Sequence, residues 1–152
     1  MAKELLTDGE AVVGGLYVKH GPSIQQISQT FAAADFADGL SAAGTKAFTA
    51  YLPKGALVLG GKVVVTAGFI GDISAVMKVG DGSTTDRFNT STINVFAAAA
   101  NGIDLGVPSG VRYVEAAVQP VVTVTSNSDF TPVLAGGGSM LIELYYINTF
   151  PE

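Results

Sequence analysis

The chain has no cysteine, no tryptophan and one histidine, His20. Without cysteine there is no disulfide framework, no thiolate nucleophile and no zinc site of the cysteine type. A Ser-His-acid triad would have to use His20, which stands beside Gly21-Pro22 in a stretch with little local packing to hold a base. A surface or interface histidine is the reading that this position supports. Charge is also scarce: Asp, Glu, Lys and Arg make up 14% of the 152 residues, against about 25% in an ordinary soluble protein. Eight basic residues against thirteen acids give a net charge of −5. That balance repels a phosphate backbone and no basic cluster offsets it, so nucleic-acid binding is disfavoured. No run of about 18 apolar residues is present to span a membrane. Glu4, Asp8 and Glu10 stand where a secretory signal needs an apolar stretch. The expectation is a protein made in the cytoplasm that does not cross a membrane.

Apolar residues are plentiful, at 48%. A chain of this length buries roughly 70% of its unfolded surface, enough for a self-sufficient core. Too few charges remain to cover a monomer in the usual way, which favours burial of part of the exterior against copies of the chain or another protein.

Residues 1–22 read as an arm and residues 23–152 as a β-rich core. In the arm, Val12, Val13, Leu16 and Val18 suit one short strand, interrupted by Gly14-Gly15 and ended by Gly21-Pro22. Leu16, Tyr17 and Val18 have no evident local strand to pair with, so they and His20 are the candidate partner-binding residues, through addition to a neighbour's sheet or groove. Ser23–Phe36 carries both a helical spacing at Ile24, Ile27 and Phe31 and a polar composition better suited to a strand; a strand is the expectation. Asp38-Gly39 and Ala43-Gly44 mark turns, and Lys46–Leu52 alternates as a strand that Pro53 ends. Ala56–Ala67 and Asp72–Val79 read as a β-hairpin across Gly68-Phe69-Ile70-Gly71, with Ile73, Ala75, Met77 and Val79 on one face of the second strand. Ser91–Ala100, ended by Asn101-Gly102, then Val111–Val118, Val121–Ser126 and Ser139–Asn148 complete a series of strands punctuated by glycine and proline. That spacing predicts an all-β, antiparallel sandwich or barrel.

No catalytic or cofactor-binding constellation emerges. Gly55–Val63 misses the phosphate-loop pattern by one place at Lys62 and lacks its hydroxyl, and Gly39–Ala43 lacks the closing glycine of a nucleophile elbow. Asp81, Ser83 and Asp86 could gather oxygens around calcium, but the loop lacks the alternating acids and final glutamate of an EF-hand. A turn whose side chains bond their own backbone is the plainer reading. The expectation is no enzyme activity, no cofactor and no metal. Tyr113, Tyr145, Tyr146 and Phe150 are read as core and interface aromatics, with Tyr145, Ile147 and Phe69 as candidate interface positions.

Tyr51–Ala56, Lys62–Thr66, Val79–Gly82 with Thr85–Phe88, and Ala135–Ser139 before Leu141–Tyr146 together resemble small virion proteins of tailed bacteriophages, especially capsid decoration (cement) proteins. The likeness covers residues 45–148. It implies a β-sandwich or β-tulip core, a homotrimer on the capsid exterior, the major capsid protein as partner, arms that reach over neighbouring subunits, and no catalytic residue. A tail- or fibre-associated virion subunit is the alternative within that resemblance; a carbohydrate- or calcium-binding β-module is the alternative outside it.

Overall fold

Ser139–Asn148 sets the pattern for the rest. Met140, Ile142, Leu144 and Tyr146 are buried while Leu141, Glu143, Tyr145 and Ile147 between them are half-buried, the two-residue alternation of a strand with one face in a core. In the computed structural model, residues 23–108 and 110–149 are described in full, preceded by the backbone of three short strands. Those three are β1 (Leu5–Leu6), β2 (Glu10–Val13) and β3 (Leu16–Lys19). There follow β4 (Ile24–Ala32), a 3₁₀ turn at Ala33–Asp35, β5 (Ala37–Asp38), β6 (Ala43–Ala47), β7 (Ala56–Ala67), β8 (Ala75–Gly80) and β9 (Ile93–Asn94). Next come β10 (Ala99–Asp104), β11 (Val121–Ser126), a helix α1 (Thr131–Gly136) and β12 (Ser139–Asn148).

Two antiparallel sheets form the core, one in the order β10-β7-β12-β4 and the other β5-β6-β11-β8-β9. This is the β-sandwich that the strand spacing predicts. Val58, Val63 and Val65 of β7, with the four inward residues of β12 and Ile27 and Phe31 of β4, face Met77 and Val79 of β8 and Val122 and Val124 of β11. Five phenylalanines close one end of this layer. Phe31 meets Phe48 edge-on at 4.9 Å, and Phe36 lies 5.9 Å from Phe69 and 6.0 Å from Phe130, within the range of favourable aromatic pairs.

The expected hairpin between β7 and β8 is not formed. The strands belong to opposite sheets, and Gly68–Ser74 carries the chain across, anchored by Phe69, which is fully buried and so is no interface residue. Each strand has one apolar face, and placing them in opposite layers turns those faces toward each other. The second strand starts at Ala75 and not at Asp72, because the Asp72 carboxylate accepts N–H bonds from Ile73 and Ser128 and holds a bend there. Ile73 is therefore exposed, not on the buried face.

Other boundaries also move. The strand expected over Lys46–Leu52 is Ala43–Ala47, so Ala43-Gly44 lies inside it; a side chain at Gly44 would run into the ring of Phe130. Asn101-Gly102 does not end a strand but lies within β10, where Gly102 has φ +81° and the register with β7 shifts. Val111–Val118 makes only isolated bridges, Tyr113 to Leu57 and Val118 to Leu52. Residues 24–32 are a strand, as expected, followed by the 3₁₀ turn in place of a helix. Gly14-Gly15 separates two paired strands: β3 pairs with β2, Tyr17 opposite Val12 and Val18 opposite Ala11. The triplet Leu16-Tyr17-Val18 thus has a local partner strand, in a sheet of order β1-β2-β3 separate from the core sheets.

Phe31→Ala is expected to destabilise the protein by about 3–5 kcal/mol through the cavity it leaves. Its neighbour Thr30, which faces solvent, should tolerate alanine within about 0.5 kcal/mol. Urea unfolding of both variants checks this, and similar losses at the two positions would contradict the facing of β4.

Candidate assembly surfaces

The loop after β8 is built around a cation, and that cation is Arg87. Its Nη1 donates to Asp81 Oδ2 at 2.9 Å, its Nε to the carbonyl of Val111 at 3.0 Å and its Nη2 to that of Tyr113 at 2.7 Å. The guanidinium also lies 5.1 Å from the centre of the Phe88 ring, within the range of a cation–π contact. Asp81 Oδ1 accepts from the backbone N–H groups of Ser83 and Thr84. Of the residues offered to calcium in the sequence, Asp81 thus has both carboxylate oxygens engaged by protein donors, while Asp86 pairs with Lys78 at 3.3 Å. The planar fork of Arg87 ties the loop to the irregular 111–113 segment, whose Arg112 carbonyl is bonded from the other side by the Val58 N–H of β7. Burial pushes the Asp81 carboxyl up, but the Thr84 N–H, Arg87 and the Ser83 N–H outweigh it, and the net shift is downward.

Two ends of the sandwich differ. At the end formed by the turn before β6, the crossover to β8 and the segment around α1, three apolar side chains project into solvent: Leu40, Ile70 and Ile73, with Leu40 95% exposed. Leu40 has φ +56°, a left-handed conformation that costs a non-glycine residue about 1 kcal/mol or more. Hydrogen bonds hold these tips. The Leu40 N–H donates to Asp38 Oδ1, Thr131 Oγ1 to Asp38 Oδ2, and the Ser128 N–H and hydroxyl to Asp72 Oδ2. The Ser128 N–H and then the Ile73 N–H hold the Asp72 carboxyl below its ordinary value. Asp38, Asp72 and Asp129 frame the tips, and these turns contain no Lys or Arg.

At the other end, Ile24, Leu59, Val107 and Tyr145 line a shallow groove of about 740 Å³ on the outer face of the four-stranded sheet. Its polar corner is a short chain of bonds: the Tyr145 hydroxyl donates to Glu143 Oε2 at 2.6 Å, and Lys62 Nζ lies 3.2 Å from the same oxygen. The Tyr145 hydroxyl, then Lys62, lowers the Glu143 carboxyl; reciprocally the bond to Glu143, then burial, raises Tyr145. The groove lies beside Ile24, where the chain enters β4 from residues 1–22. Of the partner-binding residues expected from sequence, Leu16, Tyr17 and Val18 lie in β3, and His20 falls outside the described residues, as does Phe150. Tyr145 and Ile147 lie on the half-buried outer face. Leu40 gave no signal in the sequence, because a leucine beside Asp38-Gly39 reads only as part of a turn.

Among the described residues no group of three or more His, Cys, Asp or Glu is placed to hold a metal ion, and no helix is long and apolar enough to cross a membrane. No family model and no curated protein matches the chain. A solved structure does: a chain of the "Cyanophage Pam1 capsid asymmetric unit" superposes with a TM-score of 0.61 at 19% identity, over 86% of this chain and 89% of that one. The two share a fold.

The lowered carboxyls fix the sign of an acid response. Asp72, Asp81 and Glu143 favour their charged forms in the folded state, so the stability they contribute is complete at neutral pH. It is lost as pH falls through their lowered folded values, below about pH 4. Tyr145, raised, acts in the opposite sense and loses its contribution only as pH rises above about 10. Thermal melts from pH 7 to 2 should therefore show a falling Tm, shallower in Asp81→Asn; an identical slope in that variant would exclude the Asp81 cluster as a source.

Proposed function

We propose that this chain is a structural protein of a bacteriophage virion, which binds the outer surface of the capsid as a homotrimer and stabilises the mature head lattice. The observation that carries this reading is the fold shared with a chain of a phage capsid asymmetric unit over most of both lengths. The low charge and the projecting apolar tips support a part that works by surface burial. Its partners on this reading are the major capsid protein and copies of itself, with no nucleic acid or membrane involved. A ligand that binds only the mature lattice stabilises that state by linkage, and many weak contacts repeated by symmetry act together.

Electron microscopy of particles carrying labelled protein tests the location: label on the outside of heads is expected, and label confined to tails overturns the reading. Light scattering of the isolated protein should give three times the 15.5 kDa chain mass, and a monomer mass at micromolar concentration would remove the trimer.

Removal and substitution distinguish the two ends. Because β1–β3 form a sheet apart from the core sheets, deleting residues 1–20 is expected to leave the core folded and to weaken attachment to heads stripped of the protein. Leu40→Asn combined with Ile73→Ser should leave the melting temperature unchanged or slightly raised, because asparagine tolerates the left-handed backbone, yet weaken attachment if that end meets the capsid. Undiminished decoration by both variants would exclude both surfaces.

A further inference from the structure

Four strands stand at the edges of the two core sheets, and three of them are blunted. β5 and β9 have two residues each. β10 is interrupted where its register with β7 shifts, at a glycine with φ +81°, and ends on Asp104. Short strands, bulges and charge are the devices that keep sheet edges from pairing with other chains. β4 has none of them along its length, and at its edge only the last N–H, that of Ala32, is taken, by the Asp35 carboxylate. It runs for nine residues, IQQISQTFA, without charge or proline, and its register with β12 is unbroken from Ile24 opposite Ile147 to Ala32 opposite Ser139. Its other side has no ladder partner among the described residues. Ile24, Gln25, Gln26, Ser28 and Thr30 are exposed, while Gln29 turns inward and accepts from the backbone N–H and hydroxyl of Thr49.

We propose that the free edge of β4 is a contact between copies of this chain, in which two β4 strands pair antiparallel about a twofold axis beside Ser28. The twofold operation turns one strand onto the identical strand, so the partner is uncharged by construction and no like charges oppose each other. Ser28 is the midpoint of the strand, and because the Ala32 N–H is held by Asp35, an axis there overlaps Gln25–Phe31, a ladder of about 23 Å. The facing pairs are then Ser28 with Ser28 and Gln26 with Thr30, on one face of the joined sheet. Hydroxyl and amide side chains opposite one another are favourable cross-strand pairs. The result is one continuous eight-stranded sheet across two copies. This contact is of a different symmetry from the trimer proposed above and does not depend on it: in a shell of trimers it would join one trimer to the next.

The absence of cysteine makes the test direct. Across an antiparallel pair, directly opposed Cα atoms lie about 4.5–5.5 Å apart, within the reach of a disulfide. Ser28→Cys in the full chain should therefore form a covalent dimer under mild oxidation. Thr45→Cys, also exposed but on a strand inside its sheet, should crosslink only at the rate of random collision. Ser28→Lys sets two ammonium groups against each other and should weaken self-association about five-fold, read by sedimentation, with an unchanged melt showing that the fold is retained. Crosslinking of Ser28→Cys no faster than that of Thr45→Cys, or association unaffected by lysine, overturns the proposal. A trimer mass with no Ser28 crosslink would do so while leaving the proposed trimer standing.

Discussion

The fold depends on rings filling space that glycines leave open. Phe31, Phe36, Phe48, Phe69 and Phe130 come from a strand, a 3₁₀ turn, two connections and the entry to α1, and they meet at one end of the sandwich. Gly44 gives way to the ring of Phe130, and Gly138 to that of Phe69, 2.8 Å from where a Cβ would stand. Because interiors pack at crystal-like density, each ring fixes the segment that carries it. The crossover between the sheets is held in this way, by a buried Phe69 and not by a tight turn.

That arrangement leaves the surface to small and polar residues. The outer face of the five-stranded sheet is largely Thr, Ala and Val, with Thr45 opposite Thr123 and Ala43 opposite Thr125, and the described residues contain three ion pairs. One of these, Arg87 with Asp81, closes the loop after β8 and faces little solvent. The exterior therefore offers weakly hydrated faces and edges, interrupted by a few rigid apolar tips, which are cheap to bury against a matching surface.

Strands whose alternation is strong on both sides were legible in sequence: Ala56–Ala67, Val121–Ser126 and Ser139–Asn148 have the bounds that their pattern predicts. What was not legible depends on partners distant in the chain. Gly44 reads as a turn until Phe130 is placed over it, and Val111–Val118 reads as a strand although it meets Leu57 and Leu52 only at isolated bridges. Gly14-Gly15 reads as a break, though two glycines between apolar pairs equally suit a hairpin connection. Thr131-Pro132 marks the start of α1, a proline in the first turn that signals a helix even in a β-rich chain. For the candidate surfaces, the uncharged character of β4 was visible, but its place at an edge was not, because edge position is a property of topology and not of the strand.

β12 lies at the centre of its sheet, between β7 and β4, and comes after both of them in the chain, so it leaves the ribosome later than either neighbour. Until it emerges, β4 has no ladder partner and the apolar faces of β4 and β7 have no strand between them. The four-stranded layer must therefore form after β12 has been synthesised, through contacts between segments more than 100 residues apart, such as Ile27 with Leu144. Such non-local closure is slow. A cell making many copies at once would hold a population of waiting chains, each presenting the same uncharged β4 segment, so that yield would depend on how fast β12 arrives relative to encounters between chains.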